Sequence, residues 1–417
     1  MDGRLPPRTY RLVSYRWELV AWLWLAFLLN QADRQLFAVV MPQLKTDLGA
    51  SDLALGVVAS VFTAALALTV PFAGWLGDRF SRTRVVVSSL AAWSAATLLT
   101  GFGSSLAYLL LIRSIATGVG EACYAPSAHA LISTAHVETR ARAMSTYQTS
   151  VYVGVVASGL VGGWVADRLG WRAAFWIFGA AGIGLAAVLA RRLQPEPASL
   201  SGPAMAFSPG PAVAALVERP TLVLFALASA GMIFVNVGYL AWTPTYLHER
   251  YGLSLAASGF ASMFWHHAAA FAGVLVGGWT SDRLAPRRPR VRLEIQALGL
   301  LLGAPWLFAV GRAQSVEWTL AALAGFGFCR GLFDSNTYPT LYALVPPRQY
   351  ATASGLLIAF AFLLGALAPA LLGIVKEREG LAVGLSSLAF VYLAASMVAF
   401  AGARWRFEPD AARAQTA

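Results

Sequence analysis

Apolar stretches of about 20 residues recur from one end of this chain to the other, each long enough to cross roughly 30 Å of hydrocarbon as a helix. In lipid every backbone N–H and C=O must find its partner within the protein, so only helices and closed barrels can span. Runs this long exclude the alternation of barrel strands. Of the 417 residues 58% are hydrophobic and 12% charged, about half the charged share of a soluble domain. The chain reads as an all-α integral membrane protein.

A short motif punctuates the apolar runs. The stretch from Gly74 through Asp78, Arg79, Ser81 and Arg82 to Arg84 ends one run in a small-residue turn and a burst of charge. Gly-Trp-x-x-Asp-Arg returns at 163–168 and 278–283, and Gly373-Ile374-Val375-Lys376-Glu377-Arg378 is a blurred copy. A polar residue precedes each copy at a nearly constant distance: Asp33 by 45 residues, Glu121 by 46, Asn236 by 46 and Asp334 by 43. Two helices fit into each interval, so each unit reads as three helices with a polar residue inside the first.

Four units predict twelve transmembrane helices, near 17–42, 52–77, 84–103, 105–134, 141–166, 171–192, 220–247, 256–281, 292–312, 316–345, 350–375 and 380–404. Three helices per unit turn alternate units over, giving two six-helix halves, each of two inverted three-helix repeats. A segment rich in Pro, Gly, Ala and Ser divides the halves. The expected division is an N-terminal six-helix bundle over 1–193, a cytoplasmic linker over 194–219, and a C-terminal six-helix bundle with a short cytoplasmic tail over 220–417. Paired inverted repeats around a central site are the architecture of secondary transporters.

The net charge of +11 does not point to nucleic acid, because the arginines are dispersed among the loops and not gathered in one basic domain. Arg4, Arg8, Arg11 and Arg16 precede the first helix, Arg79, Arg82 and Arg84 follow the second, and five arginines between 283 and 292 follow the eighth. The positive-inside rule then puts both termini and these loops in the cytoplasm of a cell whose inner or plasma membrane holds the protein. Cys123 and Cys329 fall inside predicted helices, so neither a disulfide nor a metal site is indicated. The first apolar run lacks a cleavage site and is expected to remain as a helix.

The Gly74 to Arg84 loop resembles the signature loop of the major facilitator superfamily, with Asp78, Arg79, Arg82 and Arg84 in its charged places, Ser81 where Gly is usual and Thr83 where a second basic residue is common. The likeness extends over the whole chain. A narrower resemblance, to the Spinster branch, rests on Asp33-Arg34, Trp93-Ser94, Arg113 with Gly118-Val119-Gly120-Glu121-Ala122, and Gly170-Trp171-Arg172. The anion:cation symporter branch also carries an Asp-Arg pair in its first helix. The Spinster likeness implies an amphipathic, lipid-like substrate such as a lysophospholipid or a sphingoid phosphate; the other branch implies proton symport of a small organic anion.

Asp33 and Glu121 are the strongest candidates for chemistry, since a carboxylate in hydrocarbon must face a polar cavity or a partner. Either can serve as a proton-coupling group, taking up and releasing a proton as its surroundings alternate; equally, both can be permanently ionised partners of Arg34 and Arg113. Those two arginines suit a substrate carboxylate or phosphate, or simply balance the charge. Arg330 and Asp334, four residues apart in the tenth helix, form an ion pair or a second charge site. His266 and His267 can relay protons or pack through hydrogen bonds. Tyr147, Gln148, Asn236, Tyr239, Asn336 and Tyr338 add hydrogen-bonding groups for substrate.

The superfamily resemblance implies that Gly74, Asp78, Arg79 and Arg82 latch the two halves together in the outward-facing state, with Glu138, Arg140 and Arg142 as partners on the same surface. The other reading of these charges is topogenic. No nucleophile–base set, His-Glu-x-x-His motif or cysteine cluster supports a membrane enzyme, and no signalling domain supports a receptor. The expectation is a monomeric, proton-coupled transporter without cofactor or metal, whose partners are its substrate, protons and the bilayer.

Overall fold

The structure, a computed structural model, describes residues 7–136, 139–194, 219–346 and 349–416. Helices account for nearly all of it, and there is no strand among the described residues. The chain runs α1 Pro7–Leu48, α2 Asp52–Arg79, α3 Arg82–Thr100, α4 (106–135), α5 (140–169), α6 Trp171–Arg192, α7 Pro220–Tyr251, α8 Leu255–Leu284, α9 Val291–Arg312, α10 (Val316–Asp334 and Thr337–Leu344), α11 (Tyr350–Gly365 and Leu367–Glu379), α12 Leu381–Trp405 and a terminal α13 Phe407–Thr416. The first twelve are the twelve transmembrane helices of the sequence reading, in two six-helix halves. Most of the proposed linker, 195–218, lies outside the described residues.

Nine helical stretches among the described residues are long and apolar enough to cross a membrane. The remaining three spans are α1, α3 and α10, whose polar residues dilute their hydropathy: Asn30, Gln31, Asp33 and Gln35 are buried on α1, Ser89, Ser94, Thr97 and Thr100 on α3, and α10 carries Arg330 and Asp334. They face protein, which is where a polar side chain in a membrane belongs.

The halves begin and end their helices alike. On the side away from the termini, hereafter the far side, Ser51, Ser105, Ser254 and Ser315 accept from the backbone N–H three residues on and cap α2, α4, α8 and α10. Gly49 and Gly252 close α1 and α7 at positive φ, while Gly170 and Gly380 open α6 and α12 at φ 83° and 86°. Each device in one half has its counterpart in the other.

Helices α3 and α6 pack together, as do α9 and α12, while α2 meets α11 and α5 meets α8 across the halves. The α3–α6 contact depends on Gly179, where a Cβ would run into the Leu98 backbone. Gly179→Val is therefore expected to cost about 1–3 kcal/mol and lower the apparent unfolding temperature in detergent. Gly184→Ala on the same helix, where a Cβ meets nothing within 4 Å, should leave it unchanged or raised; equal losses in both would argue against the packing account.

The buried apolar residues form a fork. One large cluster fills the far-side portions of both halves, from Leu36 and Val40 on α1 through Phe175, Trp242 and Leu307 to Leu385. On the terminal side it gives way to two separate clusters, one in the first half around Leu23, Trp93 and Leu189 and one in the second around Phe225, Leu344 and Phe407. The sequence suggested only a short tail after α12; in the structure Phe407 and Asp410 of α13 are buried, and Asp410 accepts from the Thr221 backbone N–H at the start of α7 (3.0 Å). A ten-residue, strongly polar helix has no signature in a search for apolar spans.

Candidate functional site: a charged cavity at the fork

Where the core divides, a cavity of about 320 Å³ lies between the halves. Its polar wall is Gln31, Arg34 and Gln35 of α1, Thr63 of α2, Arg113 of α4, Asn236 of α7, His267 of α8 and Arg330 of α10; Phe37, Phe62, Leu66, Val155, Leu240 and Phe362 are among its apolar residues. Three guanidiniums line it.

In the first half Arg34 Nε and Nη2 lie 3.1 and 3.0 Å from Glu121 Oε2, linking α1 to α4. Glu121 is fully buried and Arg34 partly exposed toward the cavity. Asp33, beside it, is buried and accepts from Thr97 Oγ1 of α3 at 3.4 Å. Arg113 is buried and sits in a seven-residue π-helical turn, Leu110–Ala116, the kind of irregularity that occurs at functional sites. Its Nη2 donates to the Asp33 and Arg34 carbonyls at 2.8 and 3.2 Å, and its guanidinium lies within 5.1–5.9 Å of the Phe62, Phe175 and Phe37 rings. Arg113 Nη1 is buried with no hydrogen-bond partner among the described residues. The two arginines therefore do different work: one pairs with a carboxylate, the other braces the α1 backbone and keeps an unspent donor.

In the second half Arg330 Nε is 3.2 Å from Asp334 Oδ2, the ion pair its i, i+4 spacing allows. Arg330 Nη1 also reaches His266 Nε2 at 3.0 Å. A guanidinium only donates, so His266 accepts there and is the neutral, Nδ1-protonated tautomer. His267 Nδ1 donates to the Met263 carbonyl at 2.7 Å, and its ring stands 6.2 Å from Tyr152 of the opposite half.

Other sequence candidates lie elsewhere. Tyr147 is buried in the terminal-side core of the first half, stacked on Phe27 at 4.8 Å, and Gln148 is exposed. Tyr239 packs on His266 and donates to the Ser262 carbonyl. Asn336 lies in the break of α10 and donates to Ser335 Oγ at 2.9 Å, and Tyr338 is half exposed beside Tyr342. The sequence reading missed Gln31 and Gln35, although their i, i+4 spacing around Asp33-Arg34 marks a polar stripe, and it missed the aromatic residues around Arg113, which no local pattern reveals. Of the latch candidates, Glu138 and the side chains of Asp78 and Arg140 lie outside the described part. Arg142 lies over the Trp17 ring at 5.4 Å, and Gly74 is within α2, as are Asp78 and Arg79.

The far-side seal was not foreseen. Asp167, the acid of the second motif copy, accepts from the Leu255 and Ala256 N–H groups at the start of α8, both at 3.0 Å. Glu377, in the equivalent place of the fourth copy, accepts from the Leu53 N–H at the start of α2 at 2.9 Å. Each half thus offers a carboxylate to the positive end of a helix in the other. Lys376 lies 2.8 Å from Asp52 of the opposite half and 2.7 Å from Glu249, and Lys45 adds a 2.7 Å contact to Asp52. Glycines let the backbones meet: Gly159 against Gly259, Gly163 against Ala256, Gly56 against Pro369.

Asp167→Ala is expected to cost this seal about 1 kcal/mol, a roughly fivefold shift away from far-side closure. Spin labels at Ser104 and Gln314, exposed on far-side loops of the two halves, would report it as a longer-distance population; an unchanged distribution would mean that the cap does not hold the halves.

Comparison with known proteins agrees with this architecture. A solved bacterial homologue of the human lysosomal transporter Spinster, inward-facing and unoccupied, superposes with a TM-score of 0.81 at 23% identity, covering 95% of this chain and 98% of that one; the likeness is one of fold. An MFS-type efflux pump of Mycolicibacterium smegmatis is 30% identical over 369 residues, 87% of this chain and 84% of its own. Human protein spinster homolog 1 is 29% identical over 388 residues, 86% and 73% of the two chains. The cis,cis-muconate transport protein of Acinetobacter baylyi is 25% identical over 402 residues, 93% and 94%. The family described as Major Facilitator Superfamily matches residues 23–369, so this twelve-helix chain, with Spinster proteins among its relatives, belongs to that superfamily and is a transporter, not an enzyme.

Proposed function

We propose that the protein is a proton-coupled secondary transporter that exposes its central cavity alternately to the two sides and moves an amphipathic anion of the lysophospholipid or sphingoid phosphate type. The forked core carries this reading: the halves share one core on the far side and have separate ones on the terminal side, with the charged cavity at the branch. Rocking about that branch opens one end as the other closes. The first and third motif copies then do on the terminal side what Asp167 and Glu377 do on the far side, with Gly74, Asp78, Arg79, Arg82, Glu138 and Arg142 as the latch. The bundles extend over 1–193 and 220–417 with a linker between. A monomer in the inner or plasma membrane, with termini and basic loops cytoplasmic, fits the charge distribution.

Arg34, Arg113 and Asn236 receive the anionic head, Asp33 and Glu121 carry the protons, and Arg330 with Asp334 forms a second charge site. A cavity of about 320 Å³ is at the small end of ligand pockets, which run from about 300 to 1,000 Å³. It accommodates a head and the first part of a chain, with Phe62, Leu66 and Phe362 receiving the apolar part. The muconate-transporting relative supports a second reading, proton symport of a small organic anion.

The test is proton flux in proteoliposomes holding a trapped pH dye, on adding a lysophospholipid or a small organic anion. Flux with the lysophospholipid alone supports the lipid reading, and flux with the organic anion alone the second. Substrate movement without a pH change would remove proton coupling.

A further inference from the structure

Away from the cavity, three arginines converge on one carboxylate at the terminal-side ends of α9 and α12. Arg288 Nη2 donates to both oxygens of Glu294 at 2.9 and 3.0 Å, and the Nε atoms of Arg290 and Arg404 lie 3.5 and 3.6 Å from Oε1. Glu408 on α13, 3.6 Å from Arg290, is the second acid in the group. Each guanidinium has five donors and stays charged, whereas the two oxygens of Glu294 offer about four acceptor positions. The side chains of Arg288 and Arg404 are 54% and 68% exposed, so their unspent donors face outward, while the Glu294 side chain is only 12% exposed. The segments 282–294 and 404–408 together hold seven arginines against three carboxylates.

Directly below this charge the surface is apolar. Leu298 and Leu301 on α9 and Met397 and Trp405 on α12 are exposed, and α9 packs along α12. Trp at the end of a span marks the headgroup level of a bilayer. Cationic groups above and an apolar, membrane-facing surface below match the two parts of one molecule.

We propose that the Arg288–Arg290–Arg404 cluster binds the phosphate headgroup of an anionic phospholipid in the terminal-side leaflet, its acyl chains lying along α9 and α12. Glu294 gathers the three guanidiniums and competes with the lipid phosphate for them. This site is independent of the transported substrate and of the proposed function.

The test uses native mass spectrometry of the full-length protein extracted from nanodiscs containing phosphatidylcholine and phosphatidylglycerol. Wild type should retain phosphatidylglycerol preferentially. The variant with Arg288→Gln and Arg404→Gln, both at exposed positions, should weaken that retention by about 30-fold, the effect of two basic residues at an anionic surface. Glu294→Gln should strengthen it, because the competing carboxylate is gone. Equal retention of the two lipids by wild type, or retention unchanged in the double variant, would overturn the proposal. Displacement of phosphatidylglycerol by equimolar inorganic phosphate would overturn it too, making the cluster a site for soluble anions; persistence of the lipid under that challenge supports it.

Discussion

Replacing Lys376 by methionine is expected to open the far side of the protein. The lysine side chain is 7% exposed and reaches Asp52 of the other half and Glu249 of its own, while Trp242 lies under it at 5.1 Å. Methionine keeps the apolar stem and removes the charge. Asp52 retains Lys45, so the loss falls mainly on the link between the halves. Both side chains of the Lys376–Asp52 ion pair are 7% exposed, and removing one partner of a buried pair costs about 3–5 kcal/mol, an effect that Lys45 reduces by staying on Asp52; the hydrogen bond to Glu249, whose side chain is 39% exposed, belongs at the weak end of ion pairs. A net loss of about 2 kcal/mol moves the closed-to-open ratio roughly 30-fold. Val58, on the cavity wall, provides the reporter. In a background with Cys123 and Cys329 replaced by serine, Val58→Cys should react with a membrane-impermeant maleimide from the far side much faster once Lys376 is methionine. No acceleration would show that the seal rests on the glycine contacts and helix caps alone.

The second large effect concerns Arg34 and Glu121, and it separates stability from coupling. Arg34→Gln strands a carboxylate whose side chain is 0% exposed, and breaking a buried pair by removing one partner costs about 3–5 kcal/mol. The expected outcome is a marked fall in unfolding temperature and yield. Glu121→Gln leaves Arg34, 24% exposed at the cavity, with access to polar surroundings, so the protein should fold. Under the proposed proton coupling, accumulation of substrate driven by a proton gradient should nevertheless fall about tenfold or more while substrate exchange continues, a loss in the driven step and not in binding. The double variant with Arg34→Gln and Glu121→Gln should recover stability without recovering accumulation. Concentrative uptake at the wild-type level by Glu121→Gln would remove this residue from coupling and leave Asp33 as the candidate.

The sequence was legible where physics is local. Hydrocarbon thickness sets the length of each span, and the constant interval from Asp33, Glu121, Asn236 and Asp334 to the motif copies disclosed the four units. The structure shares many of these bounds, such as α2 starting at Asp52, α6 ending at Arg192 and α12 starting at Leu381, whereas α1 runs Pro7–Leu48 beyond the expected 17–42 and α10 breaks after Asp334, because a helix can continue past the apolar run that reveals it. Spacing also exposed the Arg330–Asp334 pair, because partners four residues apart on one helix need no tertiary information.

Pairing between helices was not legible. Arg34 with Glu121 spans 87 residues and Arg113 with the α1 carbonyls about as many, and a list of charges does not say which arginine meets which acid. The motif showed the same limit. Lys376 and Glu377 are neighbours of opposite charge along the chain, yet they reach Asp52 and Leu53 across the halves. By itself the sequence determined a twelve-helix membrane protein with polar residues at mid-span, because lipid admits only helices and closed barrels and apolar runs this long exclude barrel strands. Only the tertiary structure decided which end is sealed, which arginine keeps a free donor and where the core forks. Those depend on the distance between two halves that the chain joins at a single place, and close-packed interfaces respond to distance far more sharply than to composition.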